Sequence, residues 1–227
     1  MSNLYIVATP IGNLEDITFR AIETLKSADI ILCEDTRVTK KLLDRYSIVK
    51  PTISYHSQSK LKKIDEIIEL LREGKNLALV SDAGTPAISD PGSFLVSRVR
   101  RELFDSVRII PIPGPSAVVS ALSASGFPAS DFLFLGFLPH KKGRQALFEE
   151  IKNSKRTVVF YESPHRFLKS LESLGSVLES KRLIAIGREL TKIYEETRVG
   201  TTEELLSFYS SNPDKVRGEF VVIVRAL

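Results

Sequence analysis

Short apolar runs alternate with helical patterns along the first half of the chain. Apolar, strand-like runs occupy residues 4–9, 29–34, 77–82 and 107–114. Apolar positions recur at helical spacing over residues 18–28, 36–46 and 61–74, with Gly74 as a glycine stop and Thr36 as a candidate N-cap. Buried strands separated by amphipathic helices predict a largely parallel sheet that is covered on both faces.

The second half of the chain has a different pattern. Strand-like runs occupy residues 132–138, 157–163, 182–190 and 218–226, and two helical patterns lie between them. This order predicts a mixed sheet with hairpin-like pairing towards the end. The stretch 123–131 has the composition of a hinge, so we expect two α/β lobes that meet near residues 114–130, with domains 1–113 and 114–227.

Small, proline and acidic residues concentrate directly after the predicted strands. The segments are "TPIGNLEDIT" (9–18), "CEDTR" (33–37), "SDAGTPAISDPG" (81–92), "PIPGPS" (111–116), "YESPHR" (161–166) and "GRELTK" (187–192). In parallel α/β sheets, ligands bind outside the carboxyl ends of the strands. The loop 81–92 has two glycines, two prolines and two aspartates, more turn signals than a simple connection needs. It predicts an ordered backbone wall for a small ligand.

Composition excludes several classes of protein. Hydrophobic residues at 43% and charged residues at 26% of 227 residues are ordinary for a soluble globular protein. The single cysteine, Cys33, excludes an intramolecular disulfide, and three widely separated histidines predict no metal site. Neither a glycine-rich dinucleotide fingerprint nor a phosphate-binding P-loop is present. The sequence contains neither a membrane-spanning run nor a signal-peptide pattern, which predicts a cytoplasmic protein without a membrane partner.

Taken in this order, the six loop motifs resemble those of the tetrapyrrole methylase superfamily, and in particular its ribosomal branch. The resemblance extends from residue 4 to about residue 225. It implies an α/β fold of two αβα lobes with a cleft for S-adenosylmethionine between them, and a homodimer. It also implies a methyltransferase that modifies the ribose 2′-hydroxyl of a cytidine in 16S rRNA of the small ribosomal subunit.

The same resemblance implies which residues contact the cofactor. They lie in the loops after the strands and near the C-terminus: Pro10, Asp82, Thr85, Ile88, Ser116, Ala117, Tyr161, Leu190 and Glu219.

A ribose hydroxyl is a poor nucleophile, so a nearby proton acceptor assists its methylation. Carboxylates of the loops are the candidates, and we predict catalytic roles for Glu34 and Asp35 first and for Glu162 second. Glu189 lies in a similar loop. For each of them, an orienting or ion-paired carboxylate is the alternative.

An RNA substrate also requires cations that contact phosphates. The net charge of +4 and the isoelectric point near 9.1 permit such a partner. Basic residues recur every four positions from residue 37 and cluster again near residues 140–166, and the candidates are Arg37, Lys41, Arg45, Lys141, Lys142, Arg144 and Arg166.

Two other interpretations remain open at this stage. One is a small-molecule, tetrapyrrole-like methylase of the same fold, and the other is a non-catalytic RNA-binding relative. The intact loop 81–92 argues against loss of catalysis, and the basic residues argue against a small acceptor.

Overall fold

The chain forms two compact units. The computed structural model describes residues 1–56 and 61–227, and these divide into Met1–Ser116 and Ala117–Leu227. The division follows Ser116, whereas the sequence analysis placed the domain boundary after residue 113.

The first unit contains a parallel sheet. Its strands are β1 (Ser2–Val7), β2 (Ile30–Cys33), β3 (Thr52–Ser54), β4 (Leu77–Leu79) and β5 (Val107–Ile112). Its helices are α1 (Phe19–Ser27), α2 (Thr36–Arg45), α3 (Leu61–Arg72) and α4 (Gly92–Glu102), and a short 3-10 turn covers Leu14–Asp16. The strands lie in the order β3-β2-β4-β1-β5, and each paired neighbour is parallel.

Helices cover both faces of this sheet. α1 and α2 pack on one face through Ala21, Leu25, Leu42 and Leu43. α3 and α4 pack on the opposite face through Ile64, Ile67, Ile68, Leu71, Leu95 and Val99. The consecutive residues Ile31 and Leu32 of β2 belong to opposite clusters, because side chains alternate along a strand. The predicted parallel sheet with two covered faces is confirmed for this unit.

Two local predictions have different outcomes. Gly74 ends α3 with φ +87°, in the left-handed region that favours glycine, as the sequence indicated. Thr36 was predicted as the N-cap of α2, and this was wrong. The cap is Asp35, whose carboxylate accepts the backbone N–H of Arg37, so that Thr36 is the first helical residue.

The second unit is a mixed α/β structure. Its strands are β6 (Phe132–Phe137), β7 (Thr157–Glu162), β8 (Ile184–Arg188), β9 (Glu196–Gly200) and β10 (Phe220–Val224). Its helices are α5 (Ala117–Ser125), α6 (Arg144–Asn153), α7 (Pro164–Val177) and α8 (Thr202–Ser211), and Pro213–Lys215 form a 3-10 turn.

The strand order of this unit is β6-β7-β10-β8-β9. β6 and β7 are parallel, and the remaining pairs are antiparallel, with β8 and β9 forming a hairpin. α5 packs on one face, and α6, α7 and α8 pack on the other. The predicted mixed sheet with hairpin-like pairing is confirmed.

Candidate active site

Backbone hydrogen bonds join the loop after β1 to the loop after β4. The N–H of Thr9 donates to the carbonyl of Gly84 at 2.9 Å, and the N–H of Gly84 donates back to Thr9 at 3.0 Å. The hydroxyl of Thr9 also donates to the carbonyl of Ser81 at 3.0 Å. The two loops therefore form one connected surface at the carboxyl edge of the sheet.

This connection lies where the chain changes from one face of the sheet to the other. β1 and β4 are neighbours, yet α1 follows β1 on one face and α4 follows β4 on the opposite face. Beyond their shared hydrogen bonds, the two loops therefore lead to helices on opposite faces of the sheet. In open α/β sheets, ligands bind at such switch points.

The loop 81–92 is held in an unusual backbone conformation. Gly84, Ala87 and Ser89 have φ values of +81°, +70° and +59°. One oxygen of Asp90 accepts the N–H groups of Ala87 and Gly92, each at 2.7 Å. Non-glycine residues persist in the left-handed region only where the surroundings fix them, and such residues cluster at ligand sites. The loop is therefore ordered by its own contacts.

The loop after β5 joins the same surface. The hydroxyl of Thr85 donates to the carbonyl of Pro115 at 3.4 Å. A Cβ on Gly114 would lie 3.0 Å from the Cβ of Ala8, tighter than ordinary packing, so that glycine favours this close approach of the two loops. We call the loops after β1, β4 and β5 the loop wall, consisting of residues 8–12, 81–92 and 113–116.

The structure brings together the first-unit residues that were predicted to contact the cofactor. Pro10 is buried, Thr85 is partly buried, and Asp82 and Ile88 are exposed, all within the loop wall. Ser116 closes the wall in sequence, and Ala117 opens α5 in the second unit. One oxygen of Asp82 accepts the N–H of Asp35 at 3.0 Å, which connects the wall to the loop after β2.

Asp35 and Glu34 are adjacent but differ in environment. The guanidinium of Arg37, with an N···O distance of 2.6 Å, and the N–H of Arg37 lower the pKa of Asp35 to about 2. Burial raises the pKa of Glu34, and the negative charges of Asp82 and Asp90 raise it further, while His56 opposes them. Asp35 is therefore a weak proton acceptor, and Glu34 is a stronger one.

Glu34 also contributes to a narrow pocket beneath the loop 81–92. Tyr55, Ser81 and Asp90 line the same pocket. Tyr55 donates its hydroxyl to the carbonyl of Pro91 at 3.1 Å, which braces the end of the loop. Sequence reasoning missed Asp90 and Thr9 as organisers of the site, although the Asp-Pro-Gly run at 90–92 is a turn signal.

Glu162 does not have the environment of a catalytic base. Its side chain has no exposed surface and accepts hydrogen bonds on both oxygens. The donors are the guanidinium groups of Arg144 at 2.9 Å and Arg166 at 2.8 Å, the hydroxyl of Ser170 at 2.6 Å and the N–H of Ser163 at 2.9 Å. Such a saturated carboxylate has no oxygen left for a substrate.

The same cluster argues against two of the predicted RNA contacts. The side chains of Arg144 and Arg166 are only 13% and 18% exposed, and both are occupied by Glu162. Because these guanidinium groups already pair with Glu162, exposed cations elsewhere are the better candidates for phosphate contacts.

The other predicted basic residues lie on the surface. Arg37, Lys41 and Arg45 are exposed on α2, although Arg37 pairs with Asp35 and Arg45 lies 3.7 Å from Glu15. Lys141 and Lys142 are exposed in the loop that precedes α6.

Tyr161 of the second unit lies in an aromatic group. Its ring packs 5.1 Å from Phe134 and 5.2 Å from Phe137, measured between ring centroids. Burial raises the pKa of the Tyr161 hydroxyl. Phe137 remains 58% exposed, so this aromatic group has one face open to solvent.

The turn after β8 is joined to the start of β10. The N–H of Glu189 donates to the carbonyl of Glu219 at 3.0 Å, and Lys192 bridges both carboxylates at 2.8 and 2.9 Å. Burial raises the pKa of Glu189, but the hydrogen bonds from Lys192 and the N–H of Glu219, together with the positive charges of Lys192 and Arg188, lower it overall. Leu190, which is partly buried, is fixed within this turn. Glu189 is thus an ion-paired carboxylate.

Within residues 1–56 and 61–227, no group of three or more His, Cys, Asp or Glu side chains is arranged to hold a metal ion. A helix of sufficient length and apolar character to cross a membrane is also absent from the described part of the chain.

Comparison with known proteins identifies the class. The family described as Tetrapyrrole (Corrin/Porphyrin) Methylases matches residues 3–206. Solved structures of the methyltransferase CobJ (TM-score 0.72, 20% identity, 100% of this chain and 95% of that chain) and of cobalt precorrin-4 methyltransferase CbiF (TM-score 0.69, 18% identity, 98% and 94%) share the fold. The chain belongs to the tetrapyrrole methylase family and is a methyltransferase.

More similar relatives carry a narrower name. Proteins named "Ribosomal RNA small subunit methyltransferase I" from Mesorhizobium japonicum and Halalkalibacterium halodurans are 50% and 51% identical over 222 residues. The matches span 97% of this chain and 74% and 75% of those relatives. A protein of the same name from Thermotoga maritima is 46% identical over 224 residues, 99% of this chain and 98% of that protein.

Proposed function

We propose that the protein transfers a methyl group from S-adenosylmethionine to the ribose 2′-hydroxyl of a cytidine in 16S rRNA. The observation that carries this proposal is the 46–51% identity, along nearly the whole chain, to relatives named as small-subunit ribosomal RNA methyltransferases. The connected loops at the switch point of the first sheet are consistent with a small-ligand site.

The loop wall suits the methyl donor. S-adenosylmethionine supplies an electrophilic methyl group on a positively charged sulfur. Gly84 and Gly114 leave backbone without side chains at the wall, and exposed Asp82 offers a carboxylate to hydroxyl or cationic groups. We assign donor binding to the loop-wall residues Pro10, Asp82, Thr85, Ile88 and Ser116, together with Ala117, Tyr161, Leu190 and Glu219.

Glu34 is our choice for the proton acceptor. In the reaction, the new O–CH3 bond forms as the S–CH3 bond breaks, and the hydroxyl proton must leave the oxygen. A carboxylate whose pKa is raised takes up a proton more readily than one whose pKa is lowered. Asp35 instead fixes the first turn of α2 and the position of Arg37.

We further propose that RNA phosphates contact exposed cations on both units. These are Arg37, Lys41 and Arg45 on α2, and Lys141 and Lys142 before α6. Homodimerisation and a cytoplasmic location belong to the same proposal.

The test uses labelled S-adenosylmethionine with small ribosomal subunits, and separately with naked 16S rRNA, from cells that lack this activity. Label on one cytidine 2′-oxygen is the expected result, and the two substrates reveal whether assembly is required. Donor binding without label on either RNA would reject the proposed acceptor and favour a small-molecule acceptor.

A further inference from the structure

The backbone of the loop between β6 and α6 is hydrogen-bonded to a buried ionic cluster. We call Glu162, Arg144, Arg166 and Ser170 the Glu162 cluster. Glu162 is the residue on which the other three converge, through N···O distances of 2.9 and 2.8 Å and a hydroxyl bond of 2.6 Å. A buried carboxylate with this many donors holds their positions firmly.

Both arginines extend from this cluster to the loop backbone. The second guanidinium nitrogen of Arg144 donates to the carbonyl of Pro139 at 3.1 Å. The corresponding nitrogen of Arg166 donates to the carbonyl of Leu138 at 2.8 Å. Each arginine thus joins Glu162 to one of two consecutive loop carbonyls.

The chain around these carbonyls directs the next residues to solvent. The pairing of β6 with β7 is irregular between Phe134 and Phe137, and Gly136 has φ +63°. Leu138 is 1% exposed and packs in the core of the second unit. The following residues 140–142, which include both lysines, are exposed, and Gly143 with φ +83° is the N-cap that precedes α6.

We propose that Glu162 is a positioning residue for the RNA substrate. Acting through Arg144 and Arg166, it fixes the loop 138–143 so that Lys141 and Lys142 meet phosphates of the RNA. This inference rests on the proposed function, since it presumes an RNA acceptor. A fixed loop loses less conformational entropy when it binds than a free one, so loosening it weakens RNA binding without altering the lysines.

The experiment combines two pairs of substitutions in the full chain. Arg144→Lys with Arg166→Lys keeps both charges but removes the guanidinium forks that reach the loop carbonyls. Lys141→Ala with Lys142→Ala removes the proposed phosphate contacts. Arg98→Lys is the matched control, because Arg98 is 16% exposed and pairs with two carboxylates, Asp65 and Glu102, in the other unit.

Affinity for 16S rRNA is measured against salt concentration, and affinity for S-adenosylmethionine is measured by calorimetry. We expect each pair of substitutions to weaken RNA binding on the order of tenfold and to reduce the salt slope by roughly 1 to 2. A variant with all four substitutions should bind RNA no more weakly than the variant with the lysine pair alone. The affinity of every variant for S-adenosylmethionine should equal that of the wild type. The Arg98→Lys control should also bind 16S rRNA as tightly as the wild type.

Amide hydrogen exchange over residues 138–143 provides a readout that does not involve RNA. We expect faster exchange there in the arginine pair and in Glu162→Gln. If Glu162→Gln unfolds, the single variants Arg144→Lys and Arg166→Lys replace it. Unchanged exchange, or an arginine effect on RNA affinity that adds fully to the lysine effect, would overturn the inference.

The outcomes also separate this inference from the proposed function. If the lysine pair weakens RNA binding and the arginine pair does not, only the positioning role is rejected. If the wild type neither binds nor methylates RNA, the proposed function fails, and the RNA contact by the loop fails with it.

Discussion

Glu34 and Asp35 demonstrate how two neighbouring carboxylates obtain opposite chemistry. Arg37 and the start of α2 stabilise the charged form of Asp35, whereas burial and the charges of Asp82 and Asp90 destabilise the charged form of Glu34. Groups whose pKa values are driven apart in this way take different roles in an active site.

The first prediction concerns Glu34. Because the proposed role needs its carboxylate, Glu34→Gln should lower kcat by about 10²-fold or more and leave S-adenosylmethionine binding unchanged. In the wild type, turnover should fall as pH decreases through the raised pKa of Glu34, so the acid limb should lie above its usual value of 4.5. Single-turnover rates across pH provide the measurement. If the pH–rate profile of Glu34→Gln kept the same acid limb as the wild type, Glu34 would not be the proton acceptor.

The second prediction separates a structural from a catalytic Asp35. Asparagine is also a good N-cap, so Asp35→Asn should retain most of the turnover, whereas Asp35→Ala should lower the melting temperature. The Arg37 pair stabilises the fold above pH 3.8, and this contribution is lost as pH falls towards about 2. The melting temperatures of wild type and Asp35→Asn should therefore converge only as the pH falls from 3.8 towards about 2, which thermal unfolding across that range measures. Loss of turnover in folded Asp35→Asn would instead indicate catalysis.

At the scale of elements, the loop wall depends on the contacts among three loops. Gly84 adopts φ +81° at the point where the loops after β1 and β4 exchange backbone hydrogen bonds. A side chain at this position would lie against Ile11 and would place an L-residue in the left-handed region.

The third prediction is that Gly84→Ala destabilises the fold by about 1–2 kcal/mol and also weakens S-adenosylmethionine binding. Gly74→Ala is the matched control, since Gly74 has φ +87° but has no atom within 4 Å of the added Cβ among the described residues. It should lose comparable stability and keep donor affinity. Denaturant unfolding and calorimetry measure the two quantities. Equal affinity for S-adenosylmethionine in both variants would show that Gly84 has no role in donor binding.

Most elements could be predicted because their patterns are local. Patterns within short stretches of consecutive residues indicate the apolar face of α3, its glycine stop and the buried strands. β3 was not predicted, because Thr52–Ser54 is three residues long and mostly exposed. Only residues 98–101 of α4 have the pattern of a solvated helix face, and the start of the helix was not predicted, since its N-cap position is Pro91, which offers no side-chain acceptor.

The site was predictable in part for the same reason. The motifs indicated which loops meet at the sheet edge. They did not indicate which distant residue forms an ion pair or hydrogen bond with a given charged side chain. Glu162 is the last residue of β7, a position where an exposed catalytic carboxylate could also stand, and its pairing with Arg144 depends on a contact 18 residues distant in sequence. Likewise, Asp90 acts on the N–H groups of its own loop, which only the folded backbone reveals.

At the scale of the whole molecule, the net charge is small, so RNA binding depends on where the exposed cations lie rather than on their total number. The net charge is +4, and Lys41 contributes an exposed cation on the helix that begins beside Glu34 and Asp35. Phosphate contacts release counterions, so that each one steepens the dependence of affinity on salt.

The fourth prediction is that Lys41→Glu weakens binding to 16S rRNA and reduces the salt slope by roughly 1 or more, with donor affinity unchanged. Lys26→Glu, the same charge change on exposed Lys26 of α1, should have little effect. Filter binding at several salt concentrations provides the comparison. Equal effects of both variants would point to net charge rather than a local contact.

The hydrogen bonds between Thr9 and Gly84 are made by main-chain atoms, and this has a consequence for altering the enzyme. A wall built from backbone keeps its shape when side chains on it are exchanged, but not when its length changes. Substitutions at exposed positions such as Ile88 are therefore the route to a methyltransferase with altered recognition of its donor. Insertions or deletions within residues 81–92 would dismantle the scaffold that such redesign requires.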